Sequence, residues 1–177
     1  MSSAHDRRPR PIAGTIGLIF AGLGSVLGAL ALSPVLRFPV AGAGALVSLV
    51  LIVLLWRWAA STAPEAGLFK RRAYLLAVLL EVLAIYVVSG LLARYGLKSY
   101  LIEAVGVIVG LHFIGLWRAT ALSRFLWIAG GMCVLSALAA LLPAAWNGFN
   151  PRDAAAGFAN AVVLWIGAGR SPTRRET

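Results

Sequence analysis

Two apolar runs joined by a short basic turn constrain this chain more than any other feature. Residues 73–93 read AYLLAVLLEVLAIYVVSGLLA, with Glu81 as the one charged residue. Residues 100–117 read YLIEAVGVIVGLHFIGLW and carry Glu103 and His112. A run of about 20 apolar residues in helical form matches the hydrocarbon thickness of a bilayer. The turn between the runs holds Arg94 and Lys98. A charged side chain at bilayer depth costs about 2.5–3.5 kcal/mol on insertion scales, so it needs a partner or a wet cavity. The pattern therefore predicts a helical membrane hairpin with ionisable groups inside it.

The rest of the chain follows the same design. Of 177 residues, 60% are hydrophobic and 12% charged, whereas a soluble domain carries about 25% charged residues. The roughly ten-residue alternating segments of a membrane β-barrel are absent. A net charge of +10 would suggest nucleic acid in a soluble protein. Here the cations flank apolar blocks and form no continuous basic face, so they act as topology signals and no nucleic-acid partner is expected. Cys133, the single cysteine, excludes a disulfide framework and a CxxC pair.

These blocks predict an all-α fold, a polytopic membrane helical bundle of six transmembrane helices with both termini cytoplasmic. The expected helices cover 12–32, 40–58, 73–93, 100–117, 125–142 and 154–168, forming one transmembrane domain over 12–168. Residues 1–11 and 169–177 are expected to be disordered basic segments. The first block is too long for a signal-peptide core and is read as a retained helix. Pro34 and Pro39 are read as bracketing a turn. The sixth helix is short, because 15 residues rise only about 22 Å against a core of about 30 Å. Charge placement nonetheless favours six crossings: 12 cations fall on inner segments and 4 on outer ones, in short loops where the positive-inside rule applies. Leaving the sixth helix outside the count would make that split 9 to 7.

Small residues mark the expected packing faces. Gly17, Ala21, Gly24, Gly28 and Ala31 share one side of the first helix, and Gly106 and Gly110 share one side of the fourth. In lipid such faces let backbones approach closely, where burial of apolar surface gives no drive. Tryptophans cluster near the expected helix ends, as an interfacial belt does. The partners expected are the lipid bilayer and either further copies of the chain or another membrane protein.

The candidate functional residues are the intramembrane ones. Glu81 lies about 12 Å from the inner end of its helix and His112 about 8 Å from the inner end of the next. Antiparallel neighbours can bring these to one depth, and an imidazole is the side chain that changes charge near neutral pH. Tyr74 and Ser89 extend a thin polar stripe along the same helix as Glu81. This set reads either as a proton or ion relay or polar pocket, or as a buried pair that docks two helices. Glu103 sits near the outer end and is expected to pair with Lys98 or Arg94. Nine residues separate it from His112, which puts the two on opposite sides of the helix.

No HExxH, Ser-His-Asp set, Walker loop or dinucleotide fingerprint occurs. No metal site, cofactor or catalytic activity is expected. Glu81, followed by Gly110-Leu111-His112-Phe113 and a helix rich in small residues, resembles uncharacterised small polytopic bacterial membrane proteins. The resemblance implies a compact helical bundle and the bacterial inner membrane, and nothing about substrate. Two functions follow as expectations: a small proton- or cation-coupled transporter or channel-like bundle, and a non-catalytic subunit or assembly factor of a larger complex.

Overall fold

A computed structural model of the chain describes residues 12–58, 72–120 and 122–169. The readings made for 1–11, the 59–71 loop and the tail beyond 169 lie outside the described residues. The fold is all-helical: α1 (Ile12–Leu30), α2 (Pro34–Trp58), α3 (Arg72–Arg94), α4 (Leu101–Thr120), α5 (Arg124–Ala139) and α6 (Pro151–Gly169). A 3-10 turn, Lys98–Tyr100, leads into α4. By length and composition, Pro34–Arg57, Leu75–Arg94 and Lys98–Arg118 are apolar enough to cross a membrane. Gly14–Leu30 and Arg124–Ala139 are apolar but shorter.

The boundaries of α2, α5 and α6 differ from the sequence reading beside prolines, and proline chemistry explains these differences. Helix α2 starts at Pro34 rather than at 40, because proline at the first helical position has no useful N–H to lose. Pro39 then sits inside the helix and removes a single hydrogen bond close to its start. Arg37, expected in a turn, lies in this first stretch and donates from Nε to the Leu32 carbonyl at 2.8 Å, capping the end of α1. Helix α5 stops at Ala139, short of the expected 142. Its chain tightens into i→i+3 bonds from Leu141 to Leu138 and from Leu142 to Ala139 just before Pro143.

The third difference bears most on the site. Helix α6 begins at Pro151 rather than 154, and its 19 residues rise about 28 Å. Asn150 caps it, accepting a hydrogen bond at its Oδ1 from the Asp153 backbone N–H at 3.2 Å. A tight turn through Asn147 (φ 48) and Gly148 (φ 81) delivers the chain to that cap. Trp146 and Phe149 exchange backbone bonds of 2.9 and 3.0 Å across it, and left-handed conformations at both central residues suit Asn-Gly. The Asn150 N–H then bonds to the Ala31 carbonyl at 2.8 Å, fastening the start of α6 to the end of α1.

Packing is organised around α6, which lies against α1, α4 and α5, with α2 flanking α1 and α3 lying against α4. The buried side chains are mostly small: Ala21, Ala29, Ser25, Ala156, Ala161 and Ser136 are each at most 1% exposed. Many large ones face outward, including Leu75, Leu76, Leu79, Leu80 and Leu83 of α3. An apolar cluster of Leu116, Phe125, Ile128, Met132 and Leu164 fills the end of the bundle where α4 finishes and α5 begins. The opposite end is polar.

Glycines set the closest approaches. Gly24 and Gly28 of α1 meet Gly157 of α6 backbone to backbone, and Gly110 abuts Cys133 and the Ala129 carbonyl on α5. Gly106 leaves room for Ser136 and Asn160. Gly17, expected on the same packing face, has nothing within 4 Å of where a Cβ would stand. Helices that cross at an angle part company away from the contact, and Gly17 is seven residues from Gly24.

Candidate functional site

Glu81 sits mid-way along α3, a helix whose main packing partner among the described residues is α4. Its position reflects residue count: antiparallel helices joined by a short turn place residues equally far from that turn at similar depth. The turn is short because Gly96 (φ 73) ends α3 in the left-handed conformation. The Leu97 N–H reaches back to the Leu92 carbonyl at 2.8 Å, closing the helix end.

The structure brings Glu81 and His112 together across the α3–α4 seam. Glu81 Oε2 lies 3.2 Å from His112 Nδ1, and the two side chains are 17% and 9% exposed. The ring N–H is not aligned on the carboxylate, so Nδ1 has no formal hydrogen bond. The contact is an ion-pair contact by distance. Ser89 is half-buried, eight residues or about 12 Å along α3, too far to join the pair. Tyr74 lies on α3 about 10 Å the other way, and its side chain is outside the described residues. Of the expected polar stripe, Glu81 is the member that meets His112.

Helix α4 carries different chemistry on its two sides. His112 faces α3, while Glu103, Gly106 and Gly110 face α5 and α6. Glu103 does not pair with Lys98, which is exposed on the preceding turn. It is only 3% exposed and lies against Asp153 and Arg152 in the first turn of α6. Arg152 is itself 7% exposed, its guanidinium 4.0 Å above the Tyr100 ring and its Nε donating to the Leu142 carbonyl at 2.9 Å.

Sequence reasoning missed this second cluster because it left Arg152 and Asp153 in a loop. Asn150-Pro151 was the available signal, a cap residue followed by a proline suited to the first helical position. One layer deeper, Ser136 Oγ and Asn160 exchange hydrogen bonds of 3.1 and 3.2 Å between α5 and α6. Trp165 donates from Nε1 to Ser48 Oγ at 2.8 Å, tying α6 to α2.

Among the described residues no group of three or more His, Cys, Asp and Glu side chains converges as a metal site would require. Two chemistries remain within reach: proton exchange at Glu81–His112, and charge held at the buried acidic end. Comparison with protein-family models, curated proteins and solved structures finds no match.

Proposed function

We propose that this chain is an integral membrane protein crossing the bilayer six times with both ends cytoplasmic, and that it works as a small proton- or cation-coupled transporter in which Glu81 and His112 handle the proton. The membrane reading draws support from the inverted distribution of side chains. Burying apolar surface from water is worth about 25 cal/mol per Å², yet the large leucines and valines of α2 and α3 face outward while Gly, Ala and Ser fill the interior. Soluble monomers rarely expose apolar patches beyond a few hundred Å². Lipid is the solvent that makes this arrangement favourable, since there close packing of small residues holds helices together. At about 28 Å, α6 is also long enough to approach a full crossing.

The observation that carries the functional reading is the 3.2 Å Glu81–His112 contact inside two long apolar helices. An acid and an imidazole at that depth each cost insertion energy that packing alone does not repay. Side by side they form a unit that can accept and release a proton as one helix shifts against the other. The α3–α4 seam suits such movement, because among the described residues α4 is the main helix packed on α3. That same sparse packing favours a second reading, in which α3 offers its bare faces to a larger complex and the pair only docks it to α4. The inner membrane of a bacterium, implied by resemblance, is the setting for either.

Purified protein in liposomes carrying a pH-sensitive dye separates the two. The transporter reading expects a pH-gradient-driven flux in the native protein that falls to the protein-free background in Glu81→Gln. Native liposomes no leakier than empty ones, across a panel of small cations and substrates, would favour the subunit reading instead.

A further inference from the structure

All three acidic residues among the described residues lie within the bundle, and two of them meet. Glu103 of α4 and Asp153 of α6 lie within hydrogen-bonding reach of one another. Yet Glu103 Oε1, Glu103 Oε2 and Asp153 Oδ1 are buried without a hydrogen-bond partner. Ionised carboxylates only accept hydrogen bonds, so two facing each other are mutually unsatisfied, and a buried unsatisfied polar group costs about 1–3 kcal/mol, more when charged.

Among the described residues none of these three oxygens finds a donor. Arg152 attracts both carboxyls, while its Nε donates to the Leu142 carbonyl and its guanidinium lies over the Tyr100 ring; among the described residues it forms no ion pair with either. Lys98, on the turn before α4, and Arg94, at the end of α3, are exposed. At the end of α1 the Ala31 carbonyl is taken by the Asn150 N–H, and Arg37 donates from its Nε to the Leu32 carbonyl. Two carboxylates and one guanidinium leave the cluster one positive charge short of neutral. Two carboxyls are too few ligands for a calcium-like ion, which takes six to eight oxygens. The missing species is a donor with unit charge that fits between two oxygens.

We propose that Glu103 and Asp153 form a proton-binding site, sharing one proton between their carboxyls and joining α4 to the first turn of α6. This site is separate from Glu81–His112. Glu103 and His112 are nine positions apart on α4, about 14 Å, on opposite faces of the helix. It therefore stands or falls independently of the transport reading.

Infrared spectroscopy of the full chain in bilayers tests it directly, because a protonated carboxyl has a C=O stretch distinct from a carboxylate. The spectrum is recorded at neutral pH in Glu81→Gln, which removes the third described acid. A protonated-carboxyl band is expected that moves on 13C-glutamate labelling and on transfer to D2O, disappears in Glu103→Gln, and shifts in Asp153→Asn. Labelling needs no substitution at the site, so the result stands even if a site variant misfolds. Absence of the band, or a band indifferent to Asp153→Asn in a folded protein, would overturn the shared proton. A band erased when sodium chloride replaces choline chloride at constant pH would overturn it in favour of a monovalent metal ion.

Discussion

Replacing Gly157 by alanine adds one methyl group where α1 and α6 touch. A Cβ there would stand 2.6 Å from both the Cα and the N of Gly28 and 2.7 Å from the Gly24 carbonyl oxygen. All three atoms are backbone, so no rotamer change gives relief. Carbon atoms rest at about 3.5–4.0 Å, which requires the two helices to part by roughly 1 Å along the contact. Forcing a methylene into a well-packed interior costs about 1–3 kcal/mol. Opposing this, alanine is favoured over glycine in a helix by about 0.8–1 kcal/mol. Gly17→Ala supplies the control, because its new Cβ meets nothing within 4 Å and collects only the helix-propensity gain. Subtracting one from the other cancels the propensity contribution and leaves the packing cost. Reversible unfolding of both variants in the same detergent should therefore place Gly157→Ala about 1–3 kcal/mol below Gly17→Ala. Equal stabilities would refute the claim that α1 and α6 are held by backbone contact at Gly24, Gly28 and Gly157.

In a Cys133→Ser background, cysteines at Ser99 and Asn147, both exposed, should react with membrane-impermeant reagents from outside intact cells. One at Ser123 should react only with permeant reagents, and impermeant labelling there would break the six-span topology. Asn160→Ala removes the bond to Ser136 and should cost about 0.6 kcal/mol, the average for interhelical hydrogen bonds in a membrane, as read by the same unfolding assay. Gly106→Leu should cost several times more, since its side chain would enter the space held by Ser136 Oγ and Asn160 Nδ2. An unchanged stability in that variant would put Gly106 against lipid.

How far the sequence could be read depended on which physical rule governed each residue. Helices α3 and α4 were legible from the length of their apolar runs, and Glu81 opposite His112 followed from residue count times helical rise on antiparallel neighbours. The opposite facings of Glu103 and His112 followed from the same arithmetic. What the sequence did not disclose turned on proline. Pro34 and Pro151 read as breaks in an apolar pattern, yet each starts a helix, because the first helical position needs no N–H. Missing Pro151 left Arg152 and Asp153 in a loop and sent Glu103 to Lys98, the nearest cation in sequence rather than in space. Gly17 failed differently. Its spacing put it on the small face of α1, but a crossing point depends on the angle between two helices, which no single helix encodes.

Whether the Glu81–His112 pair, rather than either residue alone, moves the proton is tested most directly by exchanging the partners. Liposomes are prepared with the native protein, Glu81→Gln, His112→Gln, and the double variant Glu81→His with His112→Glu, and pH-gradient-driven flux is compared at matched folded protein. The account predicts that each single variant falls to background and that the exchanged pair recovers part of the native flux, because acid and imidazole again face each other across the α3–α4 seam. Native flux in either single variant, or an exchanged pair that is folded and as inactive as the singles, would contradict it.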